Sequence, residues 1–164
     1  MSLQLSAPLP LSGSHHLDDF DCGERALDEW LKRRARANQS SGATRTFVVV
    51  DEDGRVRGYY AMAAGAVAHQ LASAKIKRNM PDPVPVMVLA RLAVDRRAQG
   101  NHLGASLLRD ALDRAIAVSQ QAGVRALLVH ALHERARQFY EHYGFQVSPA
   151  HPMTLMLRLP ALGT

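Results

Sequence analysis

The segment from Leu92 to Leu108, LAVDRRAQGNHLGASLL, carries the pattern with the clearest chemistry: an apolar strand runs into a turn of small residues and then into a helix. The first N–H groups of a helix have no partner one turn earlier, and the helix dipole places partial positive charge there. Main chain alone can therefore bind a pyrophosphate. Gly100, Gly104 and Ala105 leave room for such a ligand to approach the backbone, and Gln99 can donate or accept at the rim. Other chemistries are less well served. Cys22 lies beside Gly23 near a helix start, where a thiolate can be stabilised, but a lone cysteine is more often a small packing residue. His130 and His133 fall in HALHE, which straddles a strand end and does not match the helical HExxH arrangement, and there is no CxxC, so no metal is expected. Gly58, Tyr59 and Tyr60 either shape a ligand pocket or, in the case of the tyrosines, simply follow strand propensity.

The elements that must position these residues follow from periodicity. Val86 to Asp95 is apolar almost throughout, as a central strand covered on both faces should be. Leu103, Leu107, Leu108, Ala111, Leu112, Ala115 and Ile116 form one stripe of the following helix, with Arg109, Asp110, Asp113 and Arg114 on the other face. Upstream, Asp21 to Ala37 reads as an amphipathic helix with Leu27, Trp30, Leu31 and Ala35 on one face and Asp21 and Glu24 at capping-box spacing. Thr44–Val50 and Gly58–Ala68 flank the turn DEDG as an antiparallel hairpin. Residues 70–85 read as a short helix and a loop whose prolines 81, 83 and 85 keep it out of a sheet interior. Ala126–His130 is a strand, Glu134–Tyr143 a helix capped by Gly144, and a final strand pair lies near Phe145 and Met153–Leu159. The expected product is an α/β fold, one mixed sheet flanked by helices, in a single domain spanning 1–164.

Gln99, Gly100, Leu103 and Gly104, followed by Leu107 and Leu108, resemble the acyl-CoA loop of the GNAT N-acetyltransferase superfamily. ARQFYEHYGF, Ala136 to Phe145, resembles that superfamily's helix-to-strand segment, with Tyr140 at the position of its usual catalytic tyrosine. Phe20–Glu24, Leu27–Leu31, Gly58–Tyr60 and Arg91–Asp95 extend the resemblance over nearly the whole chain, toward the GNAT toxins of bacterial type II toxin–antitoxin systems. The resemblance implies a GNAT fold whose mixed sheet splays at the acyl-CoA site. It implies acetyl-CoA as acetyl donor, held around Leu92, Ala93, Val94, Arg97, Gln99, Gly100, His102, Leu103, Gly104, Ala105 and His133. Two positions depart from the pattern: His102 stands where the loop usually has glycine, and His133 where many relatives have a cofactor-contacting asparagine. The implied reaction is acetylation of the amino group of aminoacyl-tRNA, which blocks translation. The implied partners are a ribbon-helix-helix antitoxin, operator DNA reached through that antitoxin, and a second copy of the chain in a homodimer. Tyr140, a phenol with an ordinary pKa near 10, suits a general acid that protonates the departing sulfur. Alternatives are an N-acetyltransferase for a protein N-terminus or small amine, and a CoA-binding regulatory subunit without turnover.

Charge fits a polyanionic substrate. The chain has 20 Lys plus Arg against 15 Asp plus Glu, a formal charge of +5. Lys32, Arg33 and Arg36 lie away from the Leu27 stripe, while Arg34 falls back toward it as an interior or interface residue. With Lys75, Lys77 and Arg78 they make a candidate RNA-binding surface whose affinity should fall with salt. The 164 residues, 47% hydrophobic and 21% charged, suit one globular core and exclude global disorder. No apolar run approaches the roughly 18 residues of a membrane span, so no membrane partner is expected. One cysteine and a segment MSLQLSAPLPLSGSHH without basic residues before its apolar ones argue against secretion, and a cytoplasmic location is expected.

Overall fold

The computed structural model describes residues 4–161; residues 1–3 and 162–164 of the expected 1–164 domain lie outside them. The strands are β1 (Leu9–Pro10), β2 (Arg45–Val50), β3 (Val56–Val67), β4 (Val84–Val94), β5 (Ala126–His130), β6 (Gln146–Val147) and β7 (Thr154–Arg158). The helices are α1 (Arg25–Arg33), α2 (Ala35–Ser41), α3 (Ala74–Lys77), α4 (Leu103–Ser119) and α5 (Glu134–His142). The sheet order is β1-β2-β3-β4-β5-β7-β6, mixed because β4 and β5 run parallel while β5 and β7 run antiparallel. Two compact units make up the chain, Met1–Ala63 with Ala90–Ala111 and Ala64–Leu89 with Leu112–Thr164. Among the described residues no helix is long and apolar enough to cross a membrane.

In the first unit, Leu11, Leu17, Phe20, Leu31, Ala35, Val48, Val56, Tyr59 and Ala93 form the core. The expected helix from Asp21 to Ala37 is two helices, bent at Arg34 (φ −120°, ψ −30°), which turns Arg34 out to solvent rather than into the interior. Nor is there a capping box. Gly23 at φ +96° turns the chain before Glu24, so the Asp21 carboxylate accepts from the Gly23 N–H at 3.1 Å instead. Asp28 reaches back to the Cys22 N–H at 2.9 Å. The β2–β3 hairpin forms as expected, from Arg45 opposite Met62 to Val50 opposite Val56. Its turn is closed by Asp51, whose Oδ1 accepts from the Asp53 and Arg55 N–H groups. β1 was not legible: two residues with Pro10 at a sheet edge carry no period, yet Leu9 and Pro10 pair with Val48 and Phe47. Gly58 lets α4 close on β3, because a Cβ there would lie 3.0 Å from both Leu103 and Leu107 side chains.

In the second unit, Val67, Ala72, Ile76, Val84, Val86, Ala126, Leu128 and Met156 form the core. Pro85 lies inside β4 rather than in the preceding loop. As the second residue of the strand it can forgo an N–H donor, while its carbonyl accepts from Arg125 N at 2.9 Å. Pairing of β4 with β5 covers Val86–Leu89, and β4 then continues to Val94. The strand is not buried throughout: Val84, Val86, Leu89 and Ala93 are, whereas Met87, Val88, Ala90, Arg91, Leu92 and Val94 are half-buried. The short helix α3 is held by Arg125, whose guanidinium donates to the carbonyls of Lys75, Ile76 and Arg78 at 3.0–3.3 Å.

Candidate functional site

β4 ends at Val94, and Asp95 opens a single 3₁₀ turn, Arg96–Ala98, before the loop reaches α4. The Asp95 side chain is fully buried and accepts from the Arg97 N–H (2.9 Å), the Asp21 N–H (3.0 Å), Arg97 Nε (2.9 Å) and Arg97 Nη2 (3.0 Å). Its own N–H donates to the Arg57 carbonyl at 2.8 Å. Burial would raise the Asp95 carboxyl, but the hydrogen bonds from Arg97 and from the Asp21 and Arg97 amides hold it below the usual carboxylate range. Behind it, the buried Arg57 donates to Asp51 at 3.0 Å and lies 3.6 Å from both Asp19 and Asp95. Asp51 is likewise lowered: burial opposes, but the amides of Arg55 and Asp53 and the Arg57 guanidinium outweigh it. Gln99 fastens the loop from the front, its amide donating to the Val94 carbonyl at 3.0 Å and the Cys22 carbonyl at 3.3 Å.

This buttress fixes the start of α4. Gly100 (φ +87°) and His102 (φ +57°) make two left-handed turns, and the His102 carbonyl then accepts from Ser106 N at 3.1 Å, so His102 occupies the cap position. The N–H groups of Leu103, Gly104 and Ala105 form the first turn, where no preceding helical carbonyl exists to take them. A Cβ on Gly100 would meet nothing within 4 Å, so the ground in front of the loop is open. Histidine tolerates the left-handed region better than branched residues do, which is how His102 replaces glycine without unmaking the turn. The Arg97 guanidinium donates to Asp95 and Asp19. Periodicity does not show that support; its one signal in the sequence is Arg57, a charge among the otherwise apolar residues of a strand, which flags a buried ion pair.

In the second unit, Tyr140 is buried on the inner side of α5, its ring centroid 5.2 Å from Phe139 and 5.4 Å from Phe145. Burial pushes its phenol above the ordinary value, so it stays protonated at neutral pH. Among the described residues no group hydrogen-bonds its hydroxyl. His133 is the N-cap of α5, its Nδ1 accepting from Ala136 N at 3.1 Å. His133→Ala should therefore lower unfolding stability by about 1 kcal/mol in denaturant titration, while His133→Asn retains the cap.

The other chemical candidates resolve as structural. Tyr59 and Tyr60 are fully buried and cannot line an acceptor pocket; Tyr59 donates to the Leu27 carbonyl at 2.7 Å, and Tyr60 donates to Asp110. The Cys22 thiol is pushed up to about 12, first by burial and then by Asp28. It should react with a thiol reagent at pH 8 orders of magnitude more slowly in the native chain than in denaturant. Among the described residues no group of three or more His, Cys, Asp or Glu is arranged to hold a metal ion. Of the basic residues, Lys32 and Arg33 are exposed, with Arg33 paired to Glu29 at 2.7 Å, while Arg36 donates to the carbonyls of Ser12 and His15. Lys75 and Arg78 are exposed and Lys77 half-buried.

Residues 43–147 match the acetyltransferase (GNAT) domain. The chain is also 51% identical over 152 residues to the tRNA-acetylating toxin of Mycobacterium tuberculosis (strain ATCC 25618 / H37Rv), covering 93% of this chain and 91% of that one. The chain belongs to the GNAT acetyltransferases. Among solved structures, AtaT complexed with acetyl-methionyl-tRNAfMet matches at a TM-score of 0.86 and 27% identity, over 94% of this chain and 95% of that one. A tyrosine-to-phenylalanine mutant of AtaT bound to the C-terminus of the antitoxin AtaR and acetyl-CoA matches at 0.79 and 27% identity, over 94% and 93%. The open mixed seven-stranded sheet flanked by helices is thus the GNAT fold expected from the sequence. As a GNAT acetyltransferase the chain takes its acetyl group from acetyl-CoA. The loop fits that donor, offering open ground at Gly100 and a run of first-turn amides to an anion.

Proposed function

We propose that this GNAT acetyltransferase moves the acetyl group of acetyl-CoA to the α-amino group of aminoacyl-tRNA, and so acts as a translation-blocking toxin. The observation that carries the reaction type is the open first turn of α4, held by the Asp95 buttress as an anion cradle. Likeness to a tRNA-acetylating toxin over nearly the whole chain supports the acceptor. The pyrophosphate is assigned to the amides of Leu103, Gly104 and Ala105, with Gly100 and His102 shaping the approach, Gln99 at the rim and His133 toward the cofactor. Arg97 serves the site by holding the turn. Main-chain N–H groups at Leu92, Ala93 and Val94, on a stretch of β4 past its pairing with β5, orient the pantetheine arm and polarise the thioester carbonyl.

The amine nitrogen attacks the thioester carbon, the carbon–sulfur bond breaks, and the sulfur takes its proton from Tyr140, which is reprotonated from solvent. The amine gives its own proton to water. An α-amine has an ordinary pKa of about 7.7–8.0, and esterification of its carboxylate lowers it further, so no dedicated base is required. Lys32, Arg33, Arg36, Lys75, Lys77 and Arg78 are assigned to the RNA backbone. The partner that restrains the chain is a ribbon-helix-helix antitoxin, through which it reaches operator DNA; the chain acts in the cytoplasm as a homodimer. Likeness to AtaT bound to the C-terminus of its antitoxin supports the antitoxin partner. In a cell-free translation mixture, the purified chain with acetyl-CoA should stop reporter synthesis, and synthesis should resume on adding fresh aminoacyl-tRNA with antitoxin. Undiminished synthesis would refute the toxin reading and favour a peptide N-terminus or small amine as acceptor.

A further inference from the structure

Arg91, on β4 one residue before Leu92, has no assigned role, and its surroundings are built. Its guanidinium carbon lies 4.5 Å from the centroid of the Trp30 ring. Trp30 in turn stacks on Tyr59, with centroids 6.0 Å apart and planes at 11°, and the fully buried Tyr59 is anchored by its hydroxyl to the Leu27 carbonyl at 2.7 Å. Arg91 is therefore held over a tryptophan ring that is itself fixed by a buried, anchored tyrosine. Yet among the described residues no carboxylate pairs with it and none accepts a hydrogen bond from it. The nearby acids of α1 are already engaged: Asp28 with the Cys22 N–H, Glu29 with Arg33. A guanidinium has five donors in a fork that matches two oxygens of a phosphate, and stacking on an aromatic ring leaves all of them available at the edge. Half-burying such a group without a partner costs free energy that a ligand oxyanion would recover.

We infer that Arg91, held over the Trp30 ring, is the phosphate-gripping residue for the acceptor end of the tRNA. It takes a phosphodiester near the reacting amine, while Lys32 and Arg33 on the same helix as Trp30 attract the more distant backbone. This deepens the proposed aminoacyl-tRNA reading and rests on it. Trp30 is the chain's one tryptophan, so its fluorescence reports on this site. Titrating wild-type protein with charged tRNA should change that fluorescence in a way reversed by salt; no change would overturn the inference even if the tRNA is acetylated. Arg91→Gln should raise KM for charged tRNA about tenfold, leave kcat and KM for acetyl-CoA within about threefold, and reduce the slope of log(kcat/KM) against log salt by about one. Arg91→Lys should restore the slope but not the full affinity, since it keeps the charge and loses the fork. Circular dichroism and the thermal midpoint verify folding of each variant. A raised KM with an unchanged salt slope would reduce Arg91 to packing, a rise confined to acetyl-CoA would place it at the donor, and weakened antitoxin binding with unchanged tRNA kinetics would assign it to that partner. Each of these overturns the inference. Failure of the wild-type protein to acetylate any charged tRNA instead defeats the underlying functional reading, and is seen before any variant is made.

Discussion

Tyr140→Phe is expected to lower kcat for acetyl transfer by about 10²- to 10⁴-fold, the usual contribution of a positioned acid, while leaving KM for acetyl-CoA nearly unchanged. The reason is local. The substitution keeps the ring that packs against Phe139 and Phe145 and removes only a hydroxyl that no described residue hydrogen-bonds. Stability should therefore move by less than about 0.5 kcal/mol, the range of changes that break no structural feature. Because burial holds the phenol protonated beyond its ordinary range, kcat/KM in the wild type should rise with pH as the acceptor amine loses its proton and then stay level through pH 9. A decline between pH 7 and 9 would mean that a group needed in its protonated form titrates there, which a phenol held protonated by burial does not do. Thermal melts, steady-state kinetics and the pH profile together separate a lost proton donor from a lost fold.

Asp95→Ala should act in the opposite way, chiefly on stability. The fully buried carboxylate closes the 3₁₀ turn, receives the Asp21 amide and faces the buried Arg57, so its removal leaves donors and a buried guanidinium short of a partner. Breaking a buried pair from one side costs about 3–5 kcal/mol, a large share of the 5–15 kcal/mol available to a domain. At about 2–4 °C per kcal/mol for a chain of this size, the melting midpoint should fall by roughly 6–20 °C. The sign with pH follows from the lowered carboxyls of Asp95 and Asp51. Their folded values lie below the unfolded ones, so their contribution is present above about pH 4 and is lost as pH falls further. Asp95→Asn should accordingly lose stability at pH 7 and show a shallower acid limb than the wild type. A midpoint within 2 °C of wild type for Asp95→Ala would show that the loop stands without its buttress.

What the sequence made legible was what repeats locally. The stripe of Leu103, Leu107, Leu108, Ala111 and Ala115 stands as buried positions of α4, and the small residues between Gln99 and Ala105 stand as an open helix start. Contacts between distant residues were not legible. Nothing near Asp95 announces that the Asp21 amide, 74 positions away, ends on its carboxylate, or that Arg97 turns to Asp19, 78 positions away. A helical wheel sets Arg34 toward the Leu27 stripe because it assumes one straight helix; the break between the two helices falls at Arg34 itself and leaves it in solvent, while Ala35 stays in the core. Sequence does not decide between pocket and core for Tyr59 and Tyr60, because strand propensity is the same for both. Only their bonds to Leu27 and Asp110 decide for the core.

The most direct test isolates the product. Purified protein, acetyl-CoA carrying a labelled acetyl group, and charged total tRNA are incubated beside uncharged tRNA, and nuclease digests are separated by mass. The prediction is labelled N-acetylaminoacyl-adenosine from charged tRNA alone, abolished in Tyr140→Phe. Bound acetyl-CoA with no labelled aminoacyl product would contradict it.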